Sequence, residues 1–316
     1  MTSHLIFGAL GQDGSYLAEQ LAAEGNQVIG VIRNSSVIPD AYLHKNIKFV
    51  RGDILDGDFI SSLLDTFRPT HIYNLASASS VAESYADQQL SLLVNLEFVR
   101  GLVNSIESYR AKSGRDVFLF QASSSEMFGP NHMSMITEDT SHDPRSPYAE
   151  HKLLAHNLCL EARSKLGMKI ATGILFNHES PRRPVKFVSR KITRGAYLIS
   201  KGIEKKLILG NINVQRDWGY APDYVGAFRL IGKNSTAEDF VIATGQLHSL
   251  EQMLDIAFKA VGIENPSDFI ETNKSLYRIN ENSGLAGDSS KIQKQLGWKP
   301  STTFQDMITR MVNEEK

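Results

Sequence analysis

The stretch Gly8-Ala-Leu-Gly-Gln-Asp-Gly14 decides the fold of this chain. The run from His4 to Phe7 before it is typical of a buried strand, and the residues after it are typical of a helix. Gly8 permits a tight turn, Gly11 lets the backbone approach a pyrophosphate, and Gly14 allows close helix packing. The helix N-terminus would then face the phosphates of a dinucleotide. From this loop we expect the cofactor to contact Gly8, Gly11, Gln12, Asp13 and Gly14.

Short apolar runs alternate with amphipathic stretches along the first half of the chain, which predicts a parallel sheet covered on both faces. The predicted strands are His4–Phe7, Gln27–Ile32, Ile47–Arg51, His71–Leu75, Val117–Gln121 and Lys169–Leu175. The predicted helices are Ser15–Glu24, Asp58–Thr66, Asp87–Glu107 and Pro147–Leu166. The order of these elements predicts an α/β fold with a doubly wound, Rossmann-like sheet.

The pattern changes after Phe176, where a polar segment is followed by a basic helix predicted from Lys191 to Lys206. Strands are expected near Leu207 and Phe240, and helices near Ser249 and Asp288. We therefore expect a dinucleotide-binding domain over residues 1–176. Residues 177–316 are expected to form mainly a smaller substrate-binding region, with segments that return to the first domain.

The ends of the predicted strands indicate how the cofactor is held. Arg33 follows the second strand, where the adenosine ribose is expected, and an arginine there favours the 2′-phosphate of NADP. A loop arginine exposed to solvent is the alternative, so NAD stays possible. The remaining expected contacts follow the third strand, near the adenine, and the fourth, near the pyrophosphate and nicotinamide ribose: Asp53, Ile54, Leu75, Ala76 and Ser77.

Composition excludes several classes of partner. The 316 residues carry 34 lysines and arginines against 35 aspartates and glutamates. The resulting net charge of −1 does not favour binding to nucleic acid or to an anionic membrane. The single cysteine, Cys159, lies in an apolar helical stretch and is expected in the core rather than as a nucleophile. With no signal peptide, membrane span or metal-ligand motif recognised, we expect a cytoplasmic protein without a metal.

Four side chains predict catalysis. Tyr148 and Lys152 are four residues apart in a helix that begins at Pro147, so they share a face. An ammonium beside a phenol favours the phenolate, which makes Tyr148 a candidate base. Ser124 and Glu126 follow a buried strand, at the edge where open α/β sheets bind ligands. A capping serine and a solvated glutamate are the alternatives, but the four residue types together favour an active site.

The chain resembles the GDP-mannose 4,6-dehydratases, a family of the extended short-chain dehydrogenase/reductase superfamily. The resembling segments include Gly11–Leu17, Ile72–Ala76, Gln121–Gly129, Pro144–Ala149, Gly173–Arg183, Arg190–Gly195, Arg216–Gly219 and Trp298–Pro300. The resemblance implies that Ser124, Glu126 and Tyr148 are catalytic and that Lys152, His178 and Arg183 contact the cofactor. It also implies that the nucleotide sugar contacts Asn177, Lys191, Arg216 and Arg278.

The activity implied by the resemblance is a lyase reaction that converts GDP-mannose, or a related GDP-hexose or GDP-heptose, to the 4-keto-6-deoxy sugar. Hydride would leave C4 and return to C6 as water is lost. A nucleotide-sugar 4-epimerase or 4-dehydrogenase on the same scaffold, and a cofactor-binding regulator without turnover, are the alternatives. The superfamily's paired helices, here Asp87–Glu107 and Pro147–Leu166, imply a homodimer or homotetramer.

Overall fold

The computed structural model describes residues 2–42, 44–130, 134–277 and 284–315. Within these ranges the main sheet has the strand order β10-β6-β5-β4-β1-β2-β3. The neighbouring strands from β3 to β6 in this order all pair in parallel. This order confirms the predicted doubly wound α/β fold. The strands of this sheet are β1 (Ser3–Phe7), β2 (Gln27–Ile32), β3 (Ile47–Arg51), β4 (His71–Asn74), β5 (Phe118–Ser124), β6 (Ile170–Leu175) and β10 (Asp239–Ile242).

Two smaller sheets accompany the main one. Their orders are β11-β9-β7 and β12-β8. Their strands are β7 (Asn177–Glu179), β8 (Leu207–Leu209), β9 (Gln215–Tyr220), β11 (Leu247–Ser249) and β12 (Ile270–Thr272). The α-helices are α1 (Gln12–Ala23), α2 (Gly57–Phe67), α3 (Val81–Ala86), α4 (Gln88–Leu92), α5 (Phe98–Ser113), α6 (Pro147–Leu166), α7 (Val188–Ser200), α8 (Ala221–Asn234), α9 (Leu250–Lys259), α10 (Ser290–Leu296) and α11 (Phe304–Asn313).

Helix α6 has the bounds that the sequence predicts because its ends carry strong local signals. The Ser146 hydroxyl accepts a hydrogen bond from the Ala149 N–H, and Pro147 occupies the first helical position. Gly167 ends the helix in the left-handed conformation, with φ of 61°. These signals fix where Tyr148 and Lys152 enter the first turns of the helix.

Four predicted elements have a bound that is wrong by three residues or more. The helix predicted over Ser15–Glu24 is α1, which begins at Gln12 because its first turn follows directly on the glycine loop. The helix predicted over Asp87–Glu107 runs as α4 and α5 from Gln88 to Ser113, with a π-helical turn between them at Leu93–Glu97. Strand β5 continues three residues past Gln121 because its polar end is paired with β6. The basic helix predicted over Lys191–Lys206 is α7, which begins at Val188 and ends at Ser200.

The chain divides into two compact units. The first comprises residues 1–129, 141–175 and 225–240, and the second comprises residues 130–140, 176–224 and 241–316. The short segment 130–140 therefore groups with the second half of the chain, which the sequence did not indicate. The binding roles that the sequence assigns to the two halves stay predictions.

Each unit has its own apolar core. In the first unit, Leu5 and Phe7 of β1 pack with residues of α2, α5 and α6, and Phe7 meets Phe98 edge to face at 5.0 Å between ring centroids. In the second unit, α7, α9 and α11 pack around residues such as Phe258 and Met311, both fully buried. Burial of this apolar area is the main force that holds each unit together.

Two helical glycines offer a matched test of packing. A Cβ on Gly232 of α8 would lie 2.1 Å from the Tyr73 hydroxyl, and Tyr73 is only 1% exposed. On Gly101 of α5 a Cβ would meet no described atom within 4 Å. We expect Gly232→Ala to lower the free energy of unfolding by about 1–3 kcal/mol through overpacking. Gly101→Ala should raise it by about 0.5–1 kcal/mol.

Urea unfolding followed by circular dichroism measures both effects. A Gly232→Ala variant at least as stable as the wild type would contradict the packing described around Tyr73. The Gly101→Ala variant controls for the general effect of alanine in a helix.

Candidate active site

The glycine loop leaves space that side chains would fill. Gly8 has φ of +79°, and a Cβ there would lie 2.8 Å from the Ala76 N and 2.9 Å from the Leu75 O. A Cβ on Gly14 would lie 2.2 Å from the Gly8 O. No side chain caps the N-terminus of α1 at Gly11 in the described chain, and Gln12 and Asp13 form the first turn. This cradle fits the pyrophosphate of a dinucleotide, and the cofactor contacts of the loop stay predictions.

The segment after β4 is held by buried amides. The Asn74 Nδ2 donates to the Gln121 Oε1 at 2.8 Å, and the Asn74 Oδ1 accepts from the Ala76 N–H at 3.2 Å. The Ser77 hydroxyl donates to the Asn95 Oδ1 at 2.7 Å. The structure thus places Leu75 and Ala76 directly against Gly8, and it fixes Ser77 beside them.

Arg33 and Asp53 follow β2 and β3, and both side chains are exposed. The Asp53 carboxylate accepts the Leu55 N–H at 2.9 Å, and Ile54 packs against the core of the first unit. A neighbour that the sequence analysis missed is Arg51, the last residue of β3. Its Nη1 donates to backbone oxygens of the turn that begins at Arg33.

Tyr148 and Lys152 lie in the first two turns of α6, which packs against β5. Tyr148 is 7% exposed, and its N–H donates to the Ser84 hydroxyl at 3.2 Å. Lys152 is 3% exposed, and its Nζ donates to the Ala122 O at 2.5 Å. Burial lowers the pKa of Lys152 to about 8. The ammonium is therefore held at the end of β5, two residues before Ser124.

Ser124 is the last residue of β5, and Glu126 lies in the single 3₁₀ turn Ser125–Phe128 that follows. The Ser124 hydroxyl accepts the Glu126 N–H at 3.3 Å and so caps this turn. Ser124 is 7% exposed, whereas Glu126 is half-buried. Helix α6 packs against both β5 and this turn. The structure thus brings the four predicted catalytic residues to adjoining elements of the first unit.

The sequence did not predict a cluster of two histidines and a serine in the first unit. The Ser123 hydroxyl is 3.1 Å from the His156 Nδ1, and the His142 ring packs edge to face on His156 at 5.7 Å. His142 also stacks on Phe128 at 4.9 Å. Burial lowers the pKa of His156 to about 4, and Asp239 opposes this shift. The spacing of four residues between Lys152 and His156 was the sequence signal for this inward face of α6.

The same helix buries Cys159 completely, as the sequence predicts. Burial raises the pKa of its thiol to about 12.

In the second unit, Asn177 and His178 lie on β7. The His178 ring stacks on Tyr224 at 4.7 Å, and its Nδ1 is 2.7 Å from the Phe176 O. Arg183 forms an ion pair with Glu179 at 3.1 Å, and its guanidinium lies 3.7 Å from the Phe187 ring centre.

The predicted substrate-binding cations occupy two other elements of that unit. Lys191 lies on α7, and its Nζ donates to the Ile208 O at 2.6 Å. Arg216 lies on β9 opposite His248 and is 8% exposed. Its neighbour Asp217 is buried and accepts four hydrogen bonds, from the Thr244 N–H and hydroxyl and from the N–H groups of Gly245 and Gly287. Arg278 lies outside the described residues.

The described residues contain neither a membrane-spanning helix nor a cluster of metal ligands. No helix there is long and apolar enough to cross a membrane. Within those ranges, no group of three or more His, Cys, Asp or Glu side chains is arranged to hold a metal ion.

Comparisons with known proteins identify the family of the chain. The sequence profile of the family described as GDP-mannose 4,6 dehydratase matches residues 5–311. GDP-mannose 4,6 dehydratase 1 of Arabidopsis thaliana is 39% identical over 322 residues, covering 98% of this chain and 89% of the relative. The human GDP-mannose 4,6 dehydratase is 35% identical over 347 residues, with 98% and 90% covered.

Solved structures share the fold. A UDP-glucose 4-epimerase of Thermus thermophilus in complex with NAD is 25% identical, with a TM-score of 0.85 and 99% of both chains covered. A dTDP-glucose 4,6-dehydratase of Bacillus anthracis in complex with NAD is 18% identical, also with a TM-score of 0.85. The match covers 99% of this chain and 96% of that one.

The buried imidazole of His156 predicts an acid-sensitive stability. Its pKa is about 4 in the folded chain, against 6.5 in the unfolded chain, so the unfolded state binds the extra proton between these values. Folding stability should therefore fall as the pH falls from 6.5 towards 4, with His156 contributing on the order of 1–3 kcal/mol.

His156→Gln should flatten that part of the stability curve measured by urea unfolding at a series of pH values. The exposed His44 offers a control, because His44→Gln leaves the buried cluster intact. If His156→Gln keeps the wild-type slope between pH 6.5 and 4, the buried neutral imidazole is not its source.

Proposed function

Since this chain belongs to the GDP-mannose 4,6-dehydratase family, we propose that it is a lyase acting on GDP-mannose or a closely related GDP-hexose or GDP-heptose. The reaction forms the 4-keto-6-deoxy sugar and water, with hydride moved from C4 to C6 of the same sugar. The observation that carries this proposal is the packing of α6, with Tyr148 and Lys152, against the strand end that bears Ser124 and Glu126.

Tyr148 is the base for the sugar 4-hydroxyl in this proposal. A phenol can take that proton when a nearby cation favours its phenolate form. Lys152 supplies the cation, because its ammonium is fixed at the Ala122 oxygen two residues before Ser124. Its buried position also suits a contact with the cofactor ribose, the second role that the resemblance implies.

Glu126 distinguishes dehydration from the alternatives. Once C4 is a ketone, the C5 hydrogen is acidic, and Glu126 removes that proton and helps the 6-hydroxyl leave as water. Ser124 assists by hydrogen bonding, while its oxygen keeps the turn that carries Glu126 in place. A 4-epimerase or 4-dehydrogenase would use Tyr148 and Lys152 but has no clear use for this carboxylate.

The cofactor in this proposal is NADP. When bound, its nicotinamide supplies the hydride acceptor and donor. The Gly8–Gly14 cradle receives the pyrophosphate, and Ala76 and Ser77 lie beside it. Arg33 supports NADP over NAD because an exposed cation follows β2, where the ribose of a dinucleotide lies in this fold. His178 and Arg183 complete the contacts that the resemblance implies.

The substrate contacts we propose are Asn177, Lys191, Arg216 and Arg278. Lys191 and Arg216 bring cations suited to a diphosphate. The buried Asp217 supports this role of Arg216, because its four hydrogen bonds hold β9, next to Arg216, to two neighbouring loops. A cytoplasmic location stays a prediction.

Two substitutions separate the proposed catalytic roles. Glu126→Gln should lose dehydration by about a hundredfold to ten-thousandfold, the usual contribution of a general base. Because C4 oxidation precedes this step, the variant should accumulate bound reduced cofactor when GDP-mannose is added. Tyr148→Phe should instead block cofactor reduction. Absorbance of the reduced nicotinamide and the mass of the product measure these steps.

Solvent deuterium gives the decisive reading. Wild-type product made in D₂O should carry deuterium at C5 and have lost water, and Glu126→Gln should show neither exchange nor product. Glu161→Gln, a change to an exposed carboxylate elsewhere on α6, is the control. Dehydration by Glu126→Gln at the wild-type rate would favour the epimerase or dehydrogenase interpretation.

We also propose a homodimer or homotetramer that pairs α4–α5 and α6 across a two-fold axis. Leu90 and Leu154 expose 50% and 45% of their surface on these helices. Light scattering at micromolar concentration should give at least twice the chain mass of 35.1 kDa. Leu154→Glu should shift the protein towards monomer because a charge would be buried at the interface. Leu166→Glu, at the exposed end of α6, is the control and should leave the mass of the assembly unchanged. A wild-type protein that is monomeric at this concentration would refute the assembly.

A further inference from the structure

Arg51 ends strand β3 next to the turn that follows β2. It pairs with Ile32, the last residue of β2, so its side chain starts at the carboxyl edge of the sheet, one position before Arg33 on the neighbouring strand. In doubly wound sheets this edge is where ligands bind. Arg51 therefore brings a second guanidinium to the place where the proposed function puts the adenosine ribose.

The Arg51 guanidinium lies at a point where three backbone oxygens converge. Its Nη1 donates to the oxygens of Arg33 at 3.3 Å, Asn34 at 2.9 Å and Ser36 at 2.8 Å. The turn is closed by the Ser36 N–H, which donates to the Arg33 O at 3.0 Å. Three converging carbonyl dipoles repel an anion, and the guanidinium offsets that repulsion.

Donors remain on Arg51 after these contacts. A guanidinium has five N–H groups, of which Nη1 carries two, so three belong to Nε and Nη2. The side chain is exposed, and so is that of Arg33. A phosphate monoester accepts such N–H groups in pairs.

Neither charge is neutralised by a carboxylate of the described chain. Other arginines of the first unit do form ion pairs, at 3.4 Å for Arg100 with Glu97 and at 2.6 Å for Arg145 with Asp143. No such pair involves Arg33 or Arg51 within the described residues. Two adjacent cations without carboxylate partners are the arrangement that a dianionic ligand stabilises.

We propose that Arg51 is a specificity-determining residue that supplies, with Arg33, the second positive charge for the 2′-phosphate of NADP. This inference rests on the proposed function, which places a dinucleotide in this cradle. The competing explanation is that Arg51 only braces the turn through its Nη1. If Arg51 only stabilised the turn, it would contribute equally to the affinity for both cofactors, whereas a positive charge at the 2′-phosphate would raise the affinity for NADP alone.

The test is calorimetric titration of NADP⁺ and NAD⁺ into the protein after bound nucleotide is removed. Arg51→Gln keeps an N–H donor for the turn but loses the charge, and Arg51→Lys keeps the charge. Arg33→Ala measures how much the other proposed cation contributes to NADP⁺ affinity. Arg115→Gln removes an exposed arginine just before the N-terminal end of β5, at the opposite edge of the sheet, and is the matched control.

We expect Arg51→Gln to weaken NADP⁺ binding by about tenfold to a hundredfold, the scale of a charged hydrogen bond, with NAD⁺ binding within about twofold of wild type. Arg51→Lys should retain most of the NADP⁺ affinity. Arg115→Gln should change neither affinity. Circular dichroism of each variant confirms that it is folded before titration.

The proposal would be overturned if Arg51→Gln lost affinity equally for NADP⁺ and NAD⁺. It would also be overturned if Arg51→Lys lost as much NADP⁺ affinity as Arg51→Gln. Either result would mean that Arg51 only stabilises the turn. Unchanged NADP⁺ binding in Arg51→Gln would also overturn the proposal. A wild type that binds NAD⁺ as tightly as NADP⁺ would refute the NADP assignment and this role together. The dehydratase reaction is judged separately, from the mass of the product, so its failure can be told apart from that of Arg51.

Discussion

The hydrogen bond from the Lys152 ammonium to the Ala122 oxygen is the interaction on which the site depends. It joins α6 to the end of β5 and fixes a buried charge about one helical turn along α6 from Tyr148. Removing an ammonium from water is costly, and the lowered pKa of Lys152 shows that cost. The two elements that this hydrogen bond joins are fixed locally as well, because Ser146 caps the start of α6 and Ser124 caps the turn that follows β5.

Most of the first unit could be predicted from the sequence because its signals are local. The bounds of β2, β3 and α6 match the prediction, and the glycine loop has the predicted form. The end of β5 could not be predicted, because Ser123 and Ser124 are polar and gain their strand conformation from pairing with β6. Arg51 and His156 were missed for a related reason: their partners are distant along the chain.

The second unit was less predictable because short elements held by side-chain contacts leave weak periodicity. Strands β7, β8, β11 and β12 have three residues each, too few to show an alternating pattern. Asp217 fixes two loops through its carboxylate, a constraint that no local pattern reveals. The ion pair between Arg190 and Glu315 similarly ties the last described residue to α7. Fold class is therefore read from repeating patterns, whereas this unit's geometry depends on individual polar groups.

The burial of Cys159 makes the chain suited to spectroscopic labelling. Its sequence has one cysteine, and burial both removes that thiol from solvent and raises its pKa to about 12, so it stays protonated at neutral pH. A cysteine introduced at the exposed Ser35 would thus be the only readily alkylated thiol. A fluorophore or spin label there would report the turn between Arg33 and Ser36 without first removing the native cysteine.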